Sequence, residues 1–544
     1  MLNFTTRKEF LVPSFDLDLK DQEKMDKFLL LLQKSNVEKL FPNAPISSKG
    51  GRPHYSYYDL FATILYGFAF GSGTLRDLED SCKYDLRYFY LMSQERPHHS
   101  VFGNFINDFI APNRDEIFCL ITNAICTECN VLIDDVFMDG SKFEANANKY
   151  KFVWKPTKFH ENLSNKIRTL LNEVNLSKNI PEEGIINSKL VAQKVSELSE
   201  LLKENTKLTK QYKLLCEYLA KSLEYEEKER ICGDKRNSYY KTDHDATAMC
   251  LKEDYYSGLG SNMHAGYNMQ IAVSKGIICE YYVSQSRNDI NDFISIIQKF
   301  EKYYSYYSKR ICADAGYGSE TNYLFLKEND ITSYVKHISF EGNVSGKNPD
   351  SYHLNEDKTI TCLNGNTGVM VDIPNRHPKK AESVFYKIEG CDNCNFKMFC
   401  KRFMKNKDEN YKIFEVNQNL TFLKQESFEN LLSPKGIEMR VNRSCQVEGA
   451  FGVVKQDMDY ERLRRISLEK VETEFMLVCL GYNIRKLFKY INGKSIFNYW
   501  TAPANLKAEI PKKPNAKRLT RKANKTKAKS DNQKAKEKYK KKYK

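Results

Sequence analysis

Apolar residues between Tyr55 and Phe109 recur at three- and four-residue spacing, a pattern that predicts amphipathic helices. The first stripe consists of Leu60, Ile64, Leu65 and Phe68. Glycines in segment 71–73 interrupt it, after which Thr74 is placed to cap the next helix and Ser100 a further one. Several short helices with tight breaks are typical of helix-turn-helix DNA readers and also of plain helical packing domains. We interpret residues 1–125 as a helical domain, with DNA binding as its functional interpretation.

Short apolar runs bounded by turn residues predict strands farther along the chain, over residues 131–139, 266–273, 277–283, 310–314 and 331–335. Helical patterns follow near residues 289–303 and again over 441–487. Because insertions interrupt these elements, the predicted fold class is α/β (α+β), a mixed core and not an uninterrupted doubly wound sheet. We expect this core to span residues 126–490.

Two insertions are predicted within the core. Residues 160–235 are highly charged and helical, with apolar residues at three- and four-residue steps that favour an antiparallel helical hairpin or a short coiled coil. A solvated amphipathic insertion without chemistry is the simpler interpretation of this segment. Residues 337–425 are rich in Asn and Gly, contain a group of cysteines, and are predicted to be irregular.

The net charge of +15 is concentrated at the C-terminal end. Residues 512–544 hold sixteen Lys or Arg and two acidic residues, a net of +14, which leaves about +1 for the first 511 residues. We expect residues 505–544 to form a basic disordered tail. Such a tail either adds salt-sensitive attraction to phosphates or only improves solubility.

Several protein classes are disfavoured by composition. The N-terminus lacks a charged segment followed by an apolar run, so we expect no secretory leader. No run of about 18 apolar residues predicts a membrane span. The fifteen cysteines are an odd number, which favours reduced thiols in the cytoplasm, with clustered cysteines serving as metal ligands rather than disulfides.

Three carboxylates stand on separate predicted elements: Asp139 and Asp314 end strands, and Glu448 lies on a helix. Strand ends in α/β sheets present polar groups to a cleft. Carboxylates from separate elements can hold two Mg²⁺ ions about 3.5–4 Å apart, one activating the attacking water or 3′-hydroxyl and the other stabilising the leaving oxygen. The alternative is that these carboxylates are turn formers or caps, and Asp134 and Asp135 compete with Asp139 on the same strand.

Three segments resemble the catalytic blocks of bacterial insertion-sequence transposases of the DDE type. They are DGSKFEANANKYKFVW from Asp139, ADAGYGSETN from Ala313 and VEGAFGVVK from Val447. The chain resembles the group numbered eleven-eighty-two, whose intervening segment is similar to YKTDHDATAM and GYNMQIAV. That group's N-terminal helical domain is similar to HYSYYDLFATILYGFAFGSGTLRDLED, so the resemblance covers roughly residues 40–490, with the blocks in order.

The resemblance implies an RNase H-like catalytic fold in which Asp139, Asp314 and Glu448 form a triad that binds Mg²⁺ or Mn²⁺. It also implies nicking of double-stranded DNA at the ends of the element, followed by strand transfer into target DNA. A homodimer is implied because two element ends are paired, and a bacterial, nucleoid-associated location follows from the substrate.

The helix that carries Glu448 also departs from the pattern of related hairpin-forming transposases, which is Tyr, two residues, Arg, three residues, Glu, six residues, Lys. Lys455 fits, and it can neutralise a phosphate beside the metals because seven residues place it nearly on the face of Glu448. Val441 stands at the Tyr position and Ser444 at the Arg position, with Arg443 one residue early. This departure puts a hairpin intermediate in doubt. Arg443 either clamps a phosphate with its planar guanidinium or forms a surface ion pair.

Four cysteines fall within the predicted irregular insertion: Cys362, Cys391, Cys394 and Cys400. Four thiolates suit a closed tetrahedral Zn²⁺ site, which would stabilise a segment that has little core. Free thiols and an iron–sulfur cluster are the alternatives.

Two further residues are candidates for DNA contact. Trp154 either stacks on a splayed base or packs in the core. His264 either contacts a phosphate or water near the metals or is a satisfied polar residue in the fold.

Three other functions compete with the transposase interpretation. A nuclease of the same fold without strand transfer would use the same metal geometry. A non-catalytic DNA-binding regulator derived from a transposase is a second alternative, which the intact carboxylates and Lys455 disfavour. The third is an interaction protein built on the predicted helical hairpin.

Overall fold

The computed structural model describes residues 22–41, 55–71, 73–204, 206–234, 236–251, 263–373, 383–404 and 407–525. Within these ranges no helix is both long and apolar enough to cross a bilayer. The chain divides into two compact units. The first comprises Met1–Leu132, Gly276–Ile278 and Phe475–Asn498, and the remainder forms the second. The first unit therefore extends past the predicted boundary at residue 125 and includes a C-terminal segment that the sequence had placed in the catalytic domain.

The N-terminal part of the first unit is helical. Its helices are α1 (Gln22–Lys34), α2 (Tyr57–Phe70), α3 (Leu75–Tyr84), α4 (Leu86–Leu91), α5 (His99–Phe105) and α6 (Arg114–Glu128). Thr74 caps α3 as predicted, since its hydroxyl accepts a hydrogen bond from the Asp77 N–H at 3.1 Å. The predicted cap at Ser100 is wrong: His98 is the residue before α5, and its ring accepts from the Ser100 N–H.

Helix α2 is buried on nearly all sides, with every residue from Leu60 to Ala69 in the core. Part of this covering comes from the C-terminal segment of the same unit, whose Phe488 ring lies 4.8 Å from that of Phe70. In the same segment the buried Asn483 amide donates to the Ile278 carbonyl at 2.8 Å. A helix buried all round needs such partners, which explains why this unit recruits residues from the far end of the chain.

The second unit contains the remaining helices and nearly all the strand residues. The strands are β1 (Asp135–Glu144), β2 (Phe152–Trp154), β3 (Ser238–Tyr240), β4 (Thr247–Cys250), β5 (Met263–Ser274), β6 (Ile277–Ser284), β7 (Arg310–Ala313), β8 (Thr332–Val335), β9 (Tyr352–Leu354), β10 (Ile360–Cys362), β11 (Thr367–Val371), β12 (Ser383–Glu389) and β13 (Tyr411–Asn417). The further helices are α7 (Thr157–Glu173), α8 (Ser188–Glu204), α9 (Thr209–Cys232), α10 (Phe293–Tyr304), α11 (Glu320–Glu328), α12 (Phe340–Ser345), α13 (Lys397–Cys400), α14 (Gln418–Leu432), α15 (Pro434–Arg443), α16 (Gly449–Gly452) and α17 (Leu468–Ile491), the last of which continues into the first unit.

The central sheet has six strands in the order β4-β5-β1-β7-β8, with β6 also paired to β5. Strand β1 is antiparallel to β5 and parallel to β7, which is in turn parallel to β8. The fold is therefore mixed α/β, as the sequence predicts. The strand predicted over residues 131–139 instead runs to Glu144, because β5 continues to pair with it as far as Gly266.

Helices α7, α8 and α9 form the charged insertion. Their shared core includes Leu163, Ile167, Val191, Leu198 and Leu215. Both α7 and α8 pack on α9. The insertion therefore differs from the predicted two-helix hairpin by a third helix, α7, which begins at Thr157 and supplies half of the buried residues of this core.

The cysteine-containing insertion is not irregular, and that prediction is wrong. It forms a five-stranded sheet in the order β13-β12-β11-β10-β9, and each neighbouring pair is antiparallel. Its core is small and consists of Leu354, Ile360, Tyr386, Ile388, Phe414 and Val416. Several of these strands have only three to five residues and are joined by Asn- and Gly-rich turns, which hid the alternation of apolar and polar positions.

Two features near the C-terminus complete the second unit. The helix that begins with α15 continues to Asp457, and it is widened to five-residue turns over Ser444–Glu448 and Val453–Asp457.

The predicted disordered tail is partly helical. Residues 516–525 are helical and Leu519 is buried, which differs from the disorder predicted for residues 505–544. Residues 526–544 of that predicted tail lie outside the described residues.

Candidate active site

The register between β1 and β7 places Asp139 beside Asp314. Phe137 is opposite Cys312 in this parallel ladder, and each aspartate stands two residues farther along its own chain. Residues two apart in extended backbone share a face, so the Asp139 carboxylate on β1 and the Asp314 carboxylate directly after β7 are expected on the same face of the sheet. Each also accepts a hydrogen bond from the next backbone N–H, Asp139 at 3.0 Å and Asp314 at 2.6 Å.

Arg443 connects the first of these aspartates to Glu448. Its Nη1 lies 3.6 Å from Asp139 Oδ2, and its Nη2 lies 3.8 Å from Glu448 Oε1. The arginine side chain is 11% exposed, whereas that of Glu448 is 61% exposed and accepts a hydrogen bond from the Ser444 hydroxyl at 3.0 Å. Arg443 is therefore not the exposed surface ion pair considered from the sequence, because its guanidinium lies between two predicted metal ligands.

A fourth carboxylate, Asp289, was missed by the sequence analysis. Its Oδ1 accepts hydrogen bonds from the side-chain amides of Asn268 and Gln270, both at 2.7 Å. Tyr317 donates its hydroxyl hydrogen to the carbonyl oxygen of the Gln270 side chain. A Cβ added at Gly140 would lie 2.6 Å from Asp289 Oδ1, so this carboxylate abuts the residue next to Asp139.

A sequence signal for Asp289 existed in β5. Asn268 and Gln270 alternate on one face near the middle of a largely apolar strand, and both are buried. Buried amides require polar partners, which indicates a polar group packed against that face. The signal does not say which residue supplies it, because Asp289 lies beyond the next strand in the loop before α10.

The electrostatic environment of Asp139 favours a bound cation. Burial raises the pKa of its carboxyl to about 6, and the nearby Asp314 and Asp289 raise it as well. Arg443 and the Gly140 N–H act in the opposite direction and lower this pKa. A divalent cation among these carboxylates would relieve the desolvation and the repulsion that oppose ionisation.

The donor chemistry of this cluster fits Mg²⁺ or Mn²⁺, which take carboxylate oxygens. The carboxylate oxygens of this cluster lie farther apart than three ligands of a single ion would. In the described part of the chain, the only His, Cys, Asp or Glu ligand atoms found as a group of three within 4.8 Å of one another belong to Glu79, His98 and His99. There, Glu79 also binds the Lys83 ammonium and the His99 N–H, and so joins α3 to the start of α5.

The other predicted site residues, Lys455, Trp154 and His264, lie in three different environments. Lys455 donates a hydrogen bond to the Ser141 hydroxyl at 2.8 Å, so its charge lies along β1 just beyond Asp139. Trp154 is 49% exposed on β2 and does not pack in the core. His264 is 1% exposed, with Nδ1 4.0 Å from Glu144 Oε2, and a side chain so buried cannot reach DNA without a rearrangement.

The two aspartates that competed with Asp139 are held in ion pairs away from this cluster. Asp135 accepts hydrogen bonds from Arg310, from Lys435 at 2.9 Å and from the Tyr499 hydroxyl at 3.1 Å. Asp134 lies 3.3 Å from the Lys309 ammonium. Their partners give both residues a structural role, which leaves Asp139 as the carboxylate of β1 that joins the cluster.

The four predicted zinc ligands, Cys362, Cys391, Cys394 and Cys400, line one cavity beside the five-stranded sheet. Burial raises the pKa of the Cys391 thiol, and the other three sulfurs raise it further. In the described structure no three of these sulfurs lie within 4.8 Å of one another, so the spacing does not support a closed zinc site. Zinc binding stays a prediction from residue type.

Two segments of the chain match known families. Residues 361–488 match the family described as Transposase DDE domain, and residues 18–108 match the family described as Transposase domain (DUF772). The matches support an insertion-sequence DDE transposase. No curated protein and no solved structure matches the chain.

The transposase assignment draws on both units. The DDE match contains Arg443, Glu448 and Lys455, together with the four cysteines, whereas Asp139 and Asp314 lie upstream of it. The other match covers α1 to α5 of the first unit. A DDE transposase domain implies an enzyme of DNA transposition with DNA as its partner, and such domains typically use divalent metals.

Proposed function

We propose that this chain nicks double-stranded DNA at the ends of its own insertion sequence and joins the released 3′ ends to target DNA. The observation that carries this proposal is that Asp139 and Asp314 each follow by two residues the paired positions Phe137 and Cys312 of adjacent parallel strands, with Glu448 joined to Asp139 through Arg443. The order and directions of β6, β5, β1, β7 and β8 support an RNase H-like catalytic core. The resemblance to the group numbered eleven-eighty-two belongs to the same proposal.

In this mechanism Asp139, Asp314 and Glu448 would hold divalent cations, Mg²⁺ or Mn²⁺. Such cations would supply activation of the attacking water or 3′-hydroxyl and stabilisation of the leaving oxygen. The planar fork of Arg443, which lies between Asp139 and Glu448, would pair with a DNA phosphate. Lys455 adds a positive charge beside β1, where it offsets the charge of the same DNA strand.

The helical first unit is assigned to recognition of the element ends. Its match to a transposase domain supports this role, as does the separation of this unit from the carboxylate cluster along the chain. The basic residues from Lys512 onward add non-specific attraction to phosphates. We expect a homodimer in the DNA complex, because two ends are cut and joined together.

The decisive experiment is Mg²⁺-dependent cleavage of a DNA fragment that carries the element's own ends. Asp314→Asn replaces the carboxylate with an amide of the same shape and so removes one negative charge from the proposed metal site. Asp330→Asn is the matched control, because it makes the same change just after α11, outside the carboxylate cluster. Specific nicks with the wild type and the control, but not with Asp314→Asn, support the proposal. Equal cleavage by all three proteins would show that Asp314 is not a ligand.

The same reaction separates transposition from simple hydrolysis. Products in which element ends are covalently joined to a target plasmid demonstrate strand transfer. Nicks without joined products, under conditions in which both DNA partners are bound, would reduce the function to that of a nuclease. Binding of the ends without any nick would favour a regulator derived from a transposase.

A further inference from the structure

A group of candidate metal ligands lies in the helical first unit, apart from the carboxylate cluster. Glu79 belongs to α3, His98 directly precedes α5, and His99 is the first residue of α5. The Glu79 Oε2 atom lies 2.7 Å from His99 Nδ1 and 3.8 Å from His98 Nε2. The three ligand atoms all lie within 4.8 Å of one another, which is close enough for a single ion to contact each of them.

These distances suit a first-row transition metal. Such an ion binds nitrogen and oxygen ligands at about 2.0–2.2 Å, so neighbouring ligands of a tetrahedral site lie about 3.4 Å apart. Of the two distances to Glu79 Oε2, one is shorter and one is longer than this value. Side-chain shifts of about 1 Å are therefore sufficient to close the site around an ion.

The start of α5 brings the two imidazole rings together. Successive residues point to opposite faces of a strand and diverge by about 100° around a helix. Here His98 has extended backbone, with φ −71° and ψ 149°, and the helix begins at the next residue. This change of conformation leaves the two ring centroids 3.9 Å apart, beside the same carboxylate. The buried ring of Pro97 fixes the approach of the chain to this point.

A contact with Ser100 orients the His98 ring. The Nδ1 atom lies 2.8 Å from the Ser100 hydroxyl oxygen, which can accept the Nδ1 hydrogen. The ring lone pair then belongs to Nε2, the atom that faces Glu79. This tautomer gives up only the longer contact of Nδ1 with the Ser100 N–H, at 3.4 Å. Histidines that bind metals commonly donate their other ring N–H in this way.

Glu79 is held in place as a charged ligand. Its carboxylate accepts hydrogen bonds from the Lys83 ammonium at 2.7 Å and from the His99 N–H at 2.9 Å. These bonds, that of Lys83 foremost, lower the pKa of the carboxyl to about 2. Lys83 also contacts Asp80 at 3.2 Å, so its ammonium keeps an acceptor when a cation binds Glu79.

The donor set selects the kind of ion. Two imidazoles and one carboxylate suit Zn²⁺ and its neighbours in the first row, whereas Mg²⁺ and Mn²⁺ prefer oxygen ligands. The His98 side chain is 60% exposed, so an ion can enter from solvent and water can complete its coordination. The chemistry of this group therefore differs from that of the carboxylate cluster on β1 and β7.

We propose that Glu79, His98 and His99 bind a Zn²⁺ ion that cross-links α3 to the start of α5. The ion joins residues 20 positions apart in the chain, so its binding free energy becomes folding free energy of the helical unit. This site is separate from the metal ions of the proposed cleavage reaction and does not depend on that reaction.

The test is a Zn²⁺ titration of the full-length chain by calorimetry, without a histidine tag and in excess Mg²⁺. Cys394→Ser is the common background, because the cysteine cavity is itself a predicted zinc site. His98→Asn removes one imidazole and keeps a residue type that caps helices well. His353→Asn is the matched control, since it makes the same change at an exposed histidine on β9.

We expect the background protein and His353→Asn to bind about one more Zn²⁺ per chain than His98→Asn does. Zn²⁺ should also raise the Tm of these two proteins more than that of His98→Asn, because the variant lacks the link between α3 and α5. Glu79→Gln keeps an acceptor for the His99 N–H and should lose the same equivalent of Zn²⁺.

A variant that acts in the opposite direction completes the set. Lys83→Met removes the cation that competes with a metal for Glu79. We expect it to tighten Zn²⁺ binding about 2- to 5-fold, as the loss of one partly exposed ion pair predicts. A carboxylate that only holds helices together would give no such gain in affinity for Zn²⁺.

Equal Zn²⁺ stoichiometry in the background protein, His98→Asn and Glu79→Gln would overturn the zinc site and leave the proposed function intact. Weaker Zn²⁺ binding after Lys83→Met would overturn it as well. A melt of His98→Asn in EDTA that matches the background protein excludes misfolding as the cause of a lost equivalent. If that melt is lowered, Glu79→Gln and Lys83→Met decide the question, because they change the site from the side of α3.

Discussion

Arg443 Nη1 lies 3.6 Å from Asp139 Oδ2, so an arginine is the cationic neighbour of the carboxylate that is proposed to bind metal. The same guanidinium reaches to within 3.8 Å of Glu448. Three carboxylates and a fourth, Asp289, would repel one another without this charge. The arginine and a divalent cation therefore stabilise the same carboxylates. The increase in folding stability that a bound cation gives should be smaller when Arg443 is present than when it is absent.

The first prediction concerns Arg443→Gln. Loss of the guanidinium removes an interaction that lowers the pKa of Asp139, so that pKa should rise above about 6 and the metal-free protein should become less stable. We expect its Tm in EDTA to fall by about 1 °C, which corresponds to roughly 1 kcal/mol in a chain of this size. Mn²⁺ should then raise the Tm of the variant more than it raises that of the wild type.

Arg230→Gln is the matched control for this experiment, since Arg230 is exposed and pairs with Glu227 on the surface of α9. This variant should have the same Tm as the wild type, within error, both in EDTA and with Mn²⁺. An Mn²⁺ effect of the same size in wild type and Arg443→Gln would show that Arg443 and the metal do not act on the same carboxylates.

The second prediction is that Asp289 supports metal binding. Asp289→Asn keeps an oxygen that can accept the hydrogen bonds of Asn268 and Gln270, so the fold should persist while one negative charge is lost. We expect Mn²⁺ affinity, measured by calorimetry, to fall about 10- to 100-fold, as for other groups that support metal ligands. Unaltered affinity would restrict Asp289 to a structural role.

The third prediction uses Gly140, where a methyl group would clash with the site. An added Cβ would lie 2.3 Å from Gln270 Nε2 and 2.6 Å from Asp289 Oδ1. Gly140→Ala should therefore displace these side chains and abolish nicking. Overpacking of this kind typically costs about 1–3 kcal/mol of stability. The free energy of unfolding and the cleavage rate should both be measured.

Gly452→Ala provides the contrast, because no atom lies within 4 Å of a Cβ added at that helical position. It should stabilise the chain by about 0.5–1 kcal/mol through the helix propensity of alanine. If Gly140→Ala were as stable and as active as wild type, the packing of Asp289 against β1 would be refuted.

The fourth prediction concerns the pH dependence of stability at Asp135. Burial alone would raise the pKa of this carboxyl, but Lys435 and Arg310 bring it below the ordinary value of 3.8. The stabilisation is therefore complete above pH 3.8, where the unfolded chain is also ionised, and it declines as the pH falls through the lower folded-state pKa.

Asp135→Asn should cost about 2 kcal/mol near pH 7, a value reduced from that of a fully buried pair because Lys435 is 36% exposed. Denaturant unfolding from pH 7 to pH 3 measures the difference between wild type and variant. A difference that grew toward acid pH would have the wrong sign for this ion pair.

The fifth prediction rests on residue type and not on the present spacing of the sulfurs: purified protein should contain about one zinc per chain, with Cys362, Cys391, Cys394 and Cys400 drawn together around it. Since the sheet beside these cysteines has a small core, a chelator should lower its resistance to proteolysis. Cys394→Ser should reduce the zinc content, whereas Cys445→Ser, at an exposed cysteine outside the cavity, should not. Metal analysis that finds no zinc, or finds iron with visible absorbance, would reject the assignment.

Local patterns were sufficient for many elements. Thr74 caps α3 because capping depends on residues three positions apart, and β5 and β6 follow from their apolar runs. The carboxylates at positions 139 and 314 were identifiable as candidates because an apolar strand segment precedes each of them, although β1 continues past Asp139 to Glu144 without a turn. Their common register was not, since it depends on pairing between segments 175 residues apart.

Other features depended on tertiary contacts that the sequence does not encode locally. The role of Asp289 is apparent only when α10 and β5 are brought together. His98 replaces Ser100 at the start of α5 because Glu79 on another helix binds the His99 N–H. The five-stranded sheet was missed since three of its strands have only three to five residues and are too short to show their period.

The wide turn at Ser444–Glu448 changes how the arginine should be compared with related enzymes. In an ordinary helix, residues four apart lie one above the other, whereas in a five-residue turn the partners are five apart. Arg443 and Glu448 are five apart, and the wide turn lies between them. We therefore expect an ungapped alignment with hairpin-forming transposases to report a missing arginine, although the Arg443 guanidinium lies 3.8 Å from Glu448 across the wide turn.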